Sequence, residues 1–217
     1  PLAGVDDITK EKITPVSLGS SITAEKGQPV ILVGSPKDYV GSVAYGMITY
    51  IRDNVKRQDM ELQVLYTDVS TTGSATGFVM NLDGEIIGMI TSGNTGTNTS
   101  AIGISDLKSS IERLSNGSAL AYLGIVGQDV TAQISEEHQI PRGVYISEVT
   151  AEGPAYNSGL QSGDIIYAVD DTEITTVAEL QTLLEGKVPG ENVTVRARRV
   201  GRDGYAAIEF PVILGTR

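Results

Sequence analysis

The chemistry open to this sequence is limited by one imidazole and the absence of thiols. Of its 217 residues one is His, at position 138, and none is Cys. A thiol nucleophile, a disulfide framework and a zinc ribbon all require Cys. A multi-His metal centre requires more imidazoles than one, so no cofactor and no metal centre is expected. A Ser hydroxyl can still attack a carbonyl, but only when a base takes its proton, normally a His oriented by an Asp. His138 is the one imidazole available, and it precedes Ile140-Pro141 in what reads as surface or loop. Two further patterns invite a ligand and do not hold one. The run from Ser92 to Ser100 is rich in Gly, Asn and Thr, but it has no Lys and no helix start at phosphate-loop spacing, so it reads as a surface loop. Arg196-Ala197-Arg198-Arg199 is basic, yet strand alternation puts Arg196 and Arg198 on one face, as at a solvated strand end. The chain carries 16 basic against 27 acidic residues, net −11, which argues against nucleic acid as a partner.

The elements that must position any site come from periodicity. The composition, 40% apolar with 25 Gly, fits a turn-rich globular chain. No apolar run reaches the roughly 18 residues that span a bilayer. No signal peptide is visible, and because the sequence opens on Pro1 an upstream segment is expected to have been removed. Residues 29–34, 42–51, 62–67, 77–81, 85–91 and 100–104 read as short strands rich in Val, Ile, Tyr and Thr, punctuated by Gly and Asx. Leu82-Asp83-Gly84 is a tight-turn signal. Six such strands predict a small closed barrel or sandwich. The period then changes: Leu107, Ile111 and Leu114 predict a helix over 105–116, with Ser105 as its cap and Gly117 as its stop. This helix is the expected boundary. Beyond it, strands are predicted at 143–149, 164–169, 192–198 and 206–214, a short helix at 153–158 and a longer one at 176–184. Thr176 and Glu179 form a Thr-x-x-Glu capping box, and Val177, Leu180, Leu183 and Leu184 an apolar stripe.

The second segment resembles a PDZ domain in the bacterial strand arrangement. Tyr122-Leu123-Gly124-Ile125 is similar to the carboxylate-binding loop, and Ile140-Pro141-Arg142-Gly143-Val144-Tyr145-Ile146 to the strand that follows. Gly153-Pro154-Ala155 with Ser158-Gly159-Leu160 matches the short helix, and Gly163-Asp164-Ile165-Ile166 the Gly-Asp-x-Ile run. The resemblance implies that the N–H groups of Leu123, Gly124 and Ile125, with Tyr122 beside them, hold a terminal carboxylate. Residues 125–130 would pair with an extended peptide, and Val177, Leu180, Gln181 and Leu184 would line its groove.

The first segment resembles the C-terminal barrel of the trypsin-like proteases of the HtrA family. Gly27-Gln28-Pro29-Val30-Ile31-Leu32-Val33-Gly34-Ser35-Pro36, Gly41-Ser42-Val43-Ala44-Tyr45-Gly46-Met47-Ile48, Thr67-Asp68-Val69 and Asn81-Leu82-Asp83-Gly84-Glu85-Ile86-Ile87-Gly88 match in order. The family's Gly-Asn-Ser-Gly-Gly nucleophile turn corresponds to Gly73-Ser74-Ala75-Thr76-Gly77, so Ala75 stands where the nucleophile would be. Gly73 and Ser74 would be the remnant of the oxyanion turn. In the family the His and Asp come from an N-terminal barrel, which these residues do not include, so no triad can be assembled from this chain. Ser74 and Thr76 depart from the pattern as well, and the loop before them is one residue short, which favours natural degeneration over an engineered change. Asp68 reads as a structural loop carboxylate, and Met89-Ile90-Thr91-Ser92 as a core strand whose edge could also pair with peptide.

The expected fold is therefore mostly β with some α. A six-stranded chymotrypsin/trypsin-like Greek-key barrel (1–104) leads through a linker helix (105–118) to an α+β PDZ domain (119–217). The resemblance implies an extracytoplasmic HtrA-like serine endopeptidase relative engaged in protein quality control, anchored to a membrane through an upstream segment and lacking a working triad. The alternative is a pseudoprotease that only binds peptides or signals at the cell surface. Its partners would be peptides or unfolded-protein segments, and a homo-oligomer is left open.

Overall fold

In the computed structural model, which describes residues 6–37, 39–71, 75–91 and 98–216, the chain divides into two compact units. One comprises residues up to Val55 and Leu62–Asn116. The other comprises Lys56–Glu61 and Gly117–Arg217. The division is thus not at a single chain position, because a six-residue segment leaves the first unit to join the second.

The first unit opens with helix α1 (Asp7–Glu11). Its strands are β1 (Pro29–Ser35), β2 (Ser42–Arg57), β3 (Met60–Thr67), β4 (Thr76–Met80), β5 (Ile86–Ile90) and β6 (Thr99–Gly103). They close a barrel in the order β1-β2-β3-β6-β5-β4 among the described residues. Period-2 alternation fills the interior: Val30 and Leu32 from β1, Ile48 from β2, Leu65 from β3, Val79 from β4 and Ala101 from β6 are fully buried. Gly34 and Gly77 face one another in the β1–β4 register, both at positive φ. A Cβ on Gly77 would lie 2.0 Å from the Val33 carbonyl oxygen, so the two strands can approach this closely only without a side chain there. Strand β2 runs to Arg57, beyond the expected end at residue 51. Its extension carries exposed Arg52, Asp53 and Asn54, which no burial pattern marks as strand.

Three expectations for the boundary helix are corrected. It begins as a 3₁₀ turn (Ile104–Leu107) and becomes α2 only over Lys108–Ser115. Ser105 does not cap it. Its hydroxyl instead accepts from the Ser21 N–H at 3.0 Å, and the Ser21 hydroxyl accepts from the Ser105 N–H at 3.2 Å. The apolar stripe is not a core stripe either, since Ile111 is 38% and Leu114 57% exposed. The 3₁₀ turn containing Leu107 advances by three residues per turn and breaks the 3.6-residue phase on which the stripe was counted.

The second unit contains β7 (Ala121–Tyr122), β8 (Ile125–Val130), α3 (Ala132–His138), β9 (Gly143–Val149), α4 (Pro154–Asn157), β10 (Ile165–Val169) and β11 (Thr172–Glu173). It ends with α5 (Val177–Glu185), β12 (Asn192–Gly201), β13 (Gly204–Ile213) and β14 (Gly215–Thr216). The main sheet has the order β13-β12-β10-β9-β8, with β11 on β10 and a separate β14–β7 pair. Its core gathers Leu123, Ile125, Val144, Ile146, Leu160, Ile166, Leu180, Val195 and Val212. Helix α3 is absent from the sequence reading because Ile134 is its one strongly apolar residue. The Thr131 hydroxyl, accepting from the Ile134 N–H, starts it, and Gln139 in the left-handed region ends it. His138 is exposed at its last turn.

Candidate functional site

The site is built on the turn from β7 into β8. Gly124 takes φ +93°, a conformation that L side chains rarely adopt. The carbonyls on either side of it are pinned from behind: Ala155 N–H donates to the Leu123 carbonyl at 2.9 Å, and Thr150 N–H to the Gly124 carbonyl at 2.9 Å. With the carbonyls held, the N–H groups of Leu123, Gly124 and Ile125 turn to one side and converge on a carboxylate of the chain itself, that of Asp59. Leu123 donates to Oδ2 at 2.9 Å and Ile125 to Oδ1 at 2.9 Å. Gly124 is shared between the two oxygens at 2.9 and 3.0 Å. Asp59 is 5% exposed although it sits at a hairpin turn between β2 and β3. Its own N–H donates to the Ile125 carbonyl at 2.7 Å, and Gln58 forms an antiparallel bridge with Val126. The segment therefore adds itself to β8, the edge strand of the sheet. On the neighbouring Lys56, burial lowers the ammonium pKa and Asp129 raises it, the net shift being downward.

Helix α5 runs beside β8. Its capping box is complete, with Glu179 N–H donating to the Thr176 hydroxyl at 3.1 Å and Thr176 N–H to the Glu179 carboxylate at 3.2 Å. Asp129 of β8 accepts from the Val177 N–H at 2.7 Å and ties the helix start to the strand. Val177, Leu180 and Leu184 are buried members of the core, while Gln181 is half-buried and donates to Glu185 at 3.1 Å. Gly127 of β8 has no room for a side chain, because a Cβ would lie 2.6 Å from Val144 Cγ1 and 3.1 Å from Val177 Cγ2. Tyr122 lies in β7, paired with Gly215, where a Cβ would meet its ring at 2.3 Å.

In the barrel unit, Ala75 is 1% exposed and packs in the core cluster with Val30, Leu32 and Val79, one residue before β4. Gly73 and Ser74 lie outside the described residues, as does most of the Ser92-to-Ser100 loop. Asp68 accepts from the Met47 N–H at 2.8 Å, a bond that joins its loop to β2. Strand β5 pairs with β4 at Ile86, Gly88 and Met89 and with β6 over Gly88–Ile90, so at Gly88 and Met89 both of its edges are paired. Of the edge expected over Met89–Ser92, the barrel's own closure takes Met89, and Ser92 lies outside the described residues. The basic run is occupied too. Arg196 pairs with Glu209, Arg198 lies over the Tyr167 ring, and Arg199 makes a two-pronged bond to the buried Asp164. Among the described residues no group of three or more His, Cys, Asp or Glu side chains is arranged to hold a metal ion.

The Asp59 contact was not visible in the sequence. Gln58-Asp59 reads there as an ordinary polar turn, and nothing local connects it to a loop 64 residues further on.

Residues 121–209 match the PDZ domain family. Nearly the whole chain aligns with curated proteases. It is 30% identical over 215 residues to the "Probable periplasmic serine endoprotease DegP-like" of Ectopseudomonas mendocina, covering 93% of this chain and 44% of that protein. It is 28% identical over 206 residues to the "Serine protease Do-like HtrA" of Lactobacillus helveticus, covering 85% and 50%. The chain is an HtrA-like protein with a PDZ domain. The solved structure of the HtrA-type protease AlgW with a tripeptide shares the fold, with a TM-score of 0.60 at 22% identity over 95% of the HtrA-like chain and 70% of its own. The HtrA-like chain spans half or less of the length of these curated relatives.

Proposed function

We propose that this HtrA-like chain is a peptide receptor acting outside the cytoplasm, whose PDZ domain captures chain ends through a free carboxylate and does not itself hydrolyse them. The observation that carries the reading is the convergence of three N–H groups, from Leu123, Gly124 and Ile125, on one carboxylate beside the edge of β8. A loop of oriented amides binds an anion, and an edge strand accepts an extended peptide. The curated relatives named as periplasmic support an extracytoplasmic location. Against hydrolysis stands Ala75, which has no lone pair and is buried in the barrel core. The test is calorimetric titration of the full chain with an acetylated hexapeptide ending in Ala-Val-Val, as free acid and as amide. Binding of the acid, weakened at least tenfold in the amide, supports the reading. No heat at millimolar peptide, or equal binding of both forms, overturns it.

A second reading, that a longer HtrA-like protein is a serine endopeptidase, is favoured by the alignment with named endoproteases. Cleavage of unfolded casein by a protein containing Ala75, abolished by a serine-protease inhibitor, would establish it.

A further inference from the structure

The acid group in the carboxylate loop belongs to the chain, and it is bound as a peptide end would be. Three features coincide at Asp59. Both its carboxylate oxygens are taken up by the three loop N–H groups, at 2.9–3.0 Å. Its backbone N–H donates to Ile125, the last residue of the loop, at 2.7 Å. Its predecessor Gln58 pairs antiparallel with Val126, the next residue of β8. A carboxylate in the loop with main-chain pairing along the adjacent strand is the combination by which strand addition and terminal-carboxylate capture work together. An acidic residue at a hairpin turn is ordinarily solvated. This one is 95% removed from water, and burying a carboxylate is tolerable only where its oxygens are fully hydrogen-bonded. The turn is also held at a cost, because Asp59 has φ +58°.

We infer that Asp59 is an internal ligand, a stand-in for a chain terminus, which keeps the carboxylate loop closed until an external carboxylate displaces it. This rests on the peptide-receptor reading above. The three N–H groups cannot serve two carboxylates at once, and two like charges in one loop repel. Peptide binding and Asp59 binding are therefore mutually exclusive. A peptide binds with an affinity reduced by the fraction of molecules in which the loop is vacant. Captured peptide frees Gln58 and Asp59, the turn between β2 and β3, from the loop and from β8. Occupancy of the loop thus becomes a change in where that segment is held.

Two variants of the full chain test this. Asp59→Asn keeps the side-chain volume and removes the charge. Asp59→Gly removes the carboxylate and suits the positive φ, so it stands in if the first folds poorly. The loop amides of Leu123, Gly124 and Ile125 are followed by NMR, and the Ala-Val-Val acid and amide hexapeptides are titrated into each protein. The expected result has two parts. The three amide resonances move upfield in both variants without peptide, and the free-acid peptide binds at least tenfold tighter than to the unaltered chain, with no such gain for the amide. Unchanged loop amides, together with equal peptide affinity in all three proteins, overturn the internal-ligand inference and leave the receptor reading standing. Shifted loop amides with no peptide binding by any protein overturn the receptor reading, and the competition falls with it.

Discussion

Single side chains decide what the two units can do, and Ala75 is the plainest case. Its methyl group is buried among Val30, Leu32 and Val79, so it lacks a nucleophile's access to substrate as well as its oxygen. Restoring the hydroxyl by Ala75→Ser is expected to give no hydrolysis of casein above background. It should also destabilise the chain by about 1–2 kcal/mol, because a hydroxyl enters an apolar site without a partner. A urea midpoint that does not fall, or casein cleavage by the variant, contradicts this. Asp164 is the corresponding structural case. Its two oxygens take Arg199 Nε and Nη2 at 2.7 Å each and the Gln161 N–H at 2.9 Å, while Arg199 also donates to the Gly159 carbonyl. Asp164→Ala leaves these donors short of an acceptor. Arg199 is 31% exposed, so water compensates in part, and a loss of about 2–3 kcal/mol in urea unfolding is expected. The importance of Asp164 was legible in the Gly-Asp-x-Ile run, but its partner was not, since Arg199 stands 35 residues away in a run that reads as solvated.

At the scale of elements, those with a local cause were the readable ones. Helix α5 announces itself through Thr176, Glu179 and the stripe of Val177, Leu180 and Leu184, and the structure contains that capping box. Thr176→Ala should cost about 1 kcal/mol, seen as a lower urea midpoint. The same cap gives a pH dependence. The Thr175 N–H and hydroxyl, at 2.7 and 2.8 Å, hold the Glu179 carboxyl below its ordinary value of 4.5. A carboxyl whose folded pKa is depressed stabilises fully above its unfolded value and loses that contribution as pH falls through the folded one. Stability from the cap is therefore expected to decline below about pH 4.5, and Glu179→Gln should make the acid limb shallower. An unaltered acid limb in that variant would show that the cap carries no proton linkage. Less readable were elements shaped by tertiary contact. Ser105 has the chemistry of a cap but exchanges hydrogen bonds with Ser21, 84 residues earlier. The end of β2 is likewise not marked by its own sequence, since Arg52, Asp53 and Asn54 are exposed and show no strand alternation.

For the molecule as a whole, motif order was enough to anticipate two kinds of architecture, because barrel strands and PDZ elements each carry their own turns and periodicities. The exchange of a segment between the units was hidden, because pairing between Gln58 and Val126 is a backbone event that leaves no trace in side-chain types. That pairing has a second effect, on solubility. Strand β8 ends the sheet, and an uncovered sheet edge is a template for any passing strand, including one from another copy. Residues 58–59 act as a stopper on that edge. Asp59→Gly at high protein concentration is accordingly expected to show more self-association by light scattering than the unaltered chain, reversed by the free-acid peptide. No concentration dependence in the variant would mean that the edge is protected by something else. The same two residues that keep an external peptide out would then be what keeps the protein from polymerising on itself.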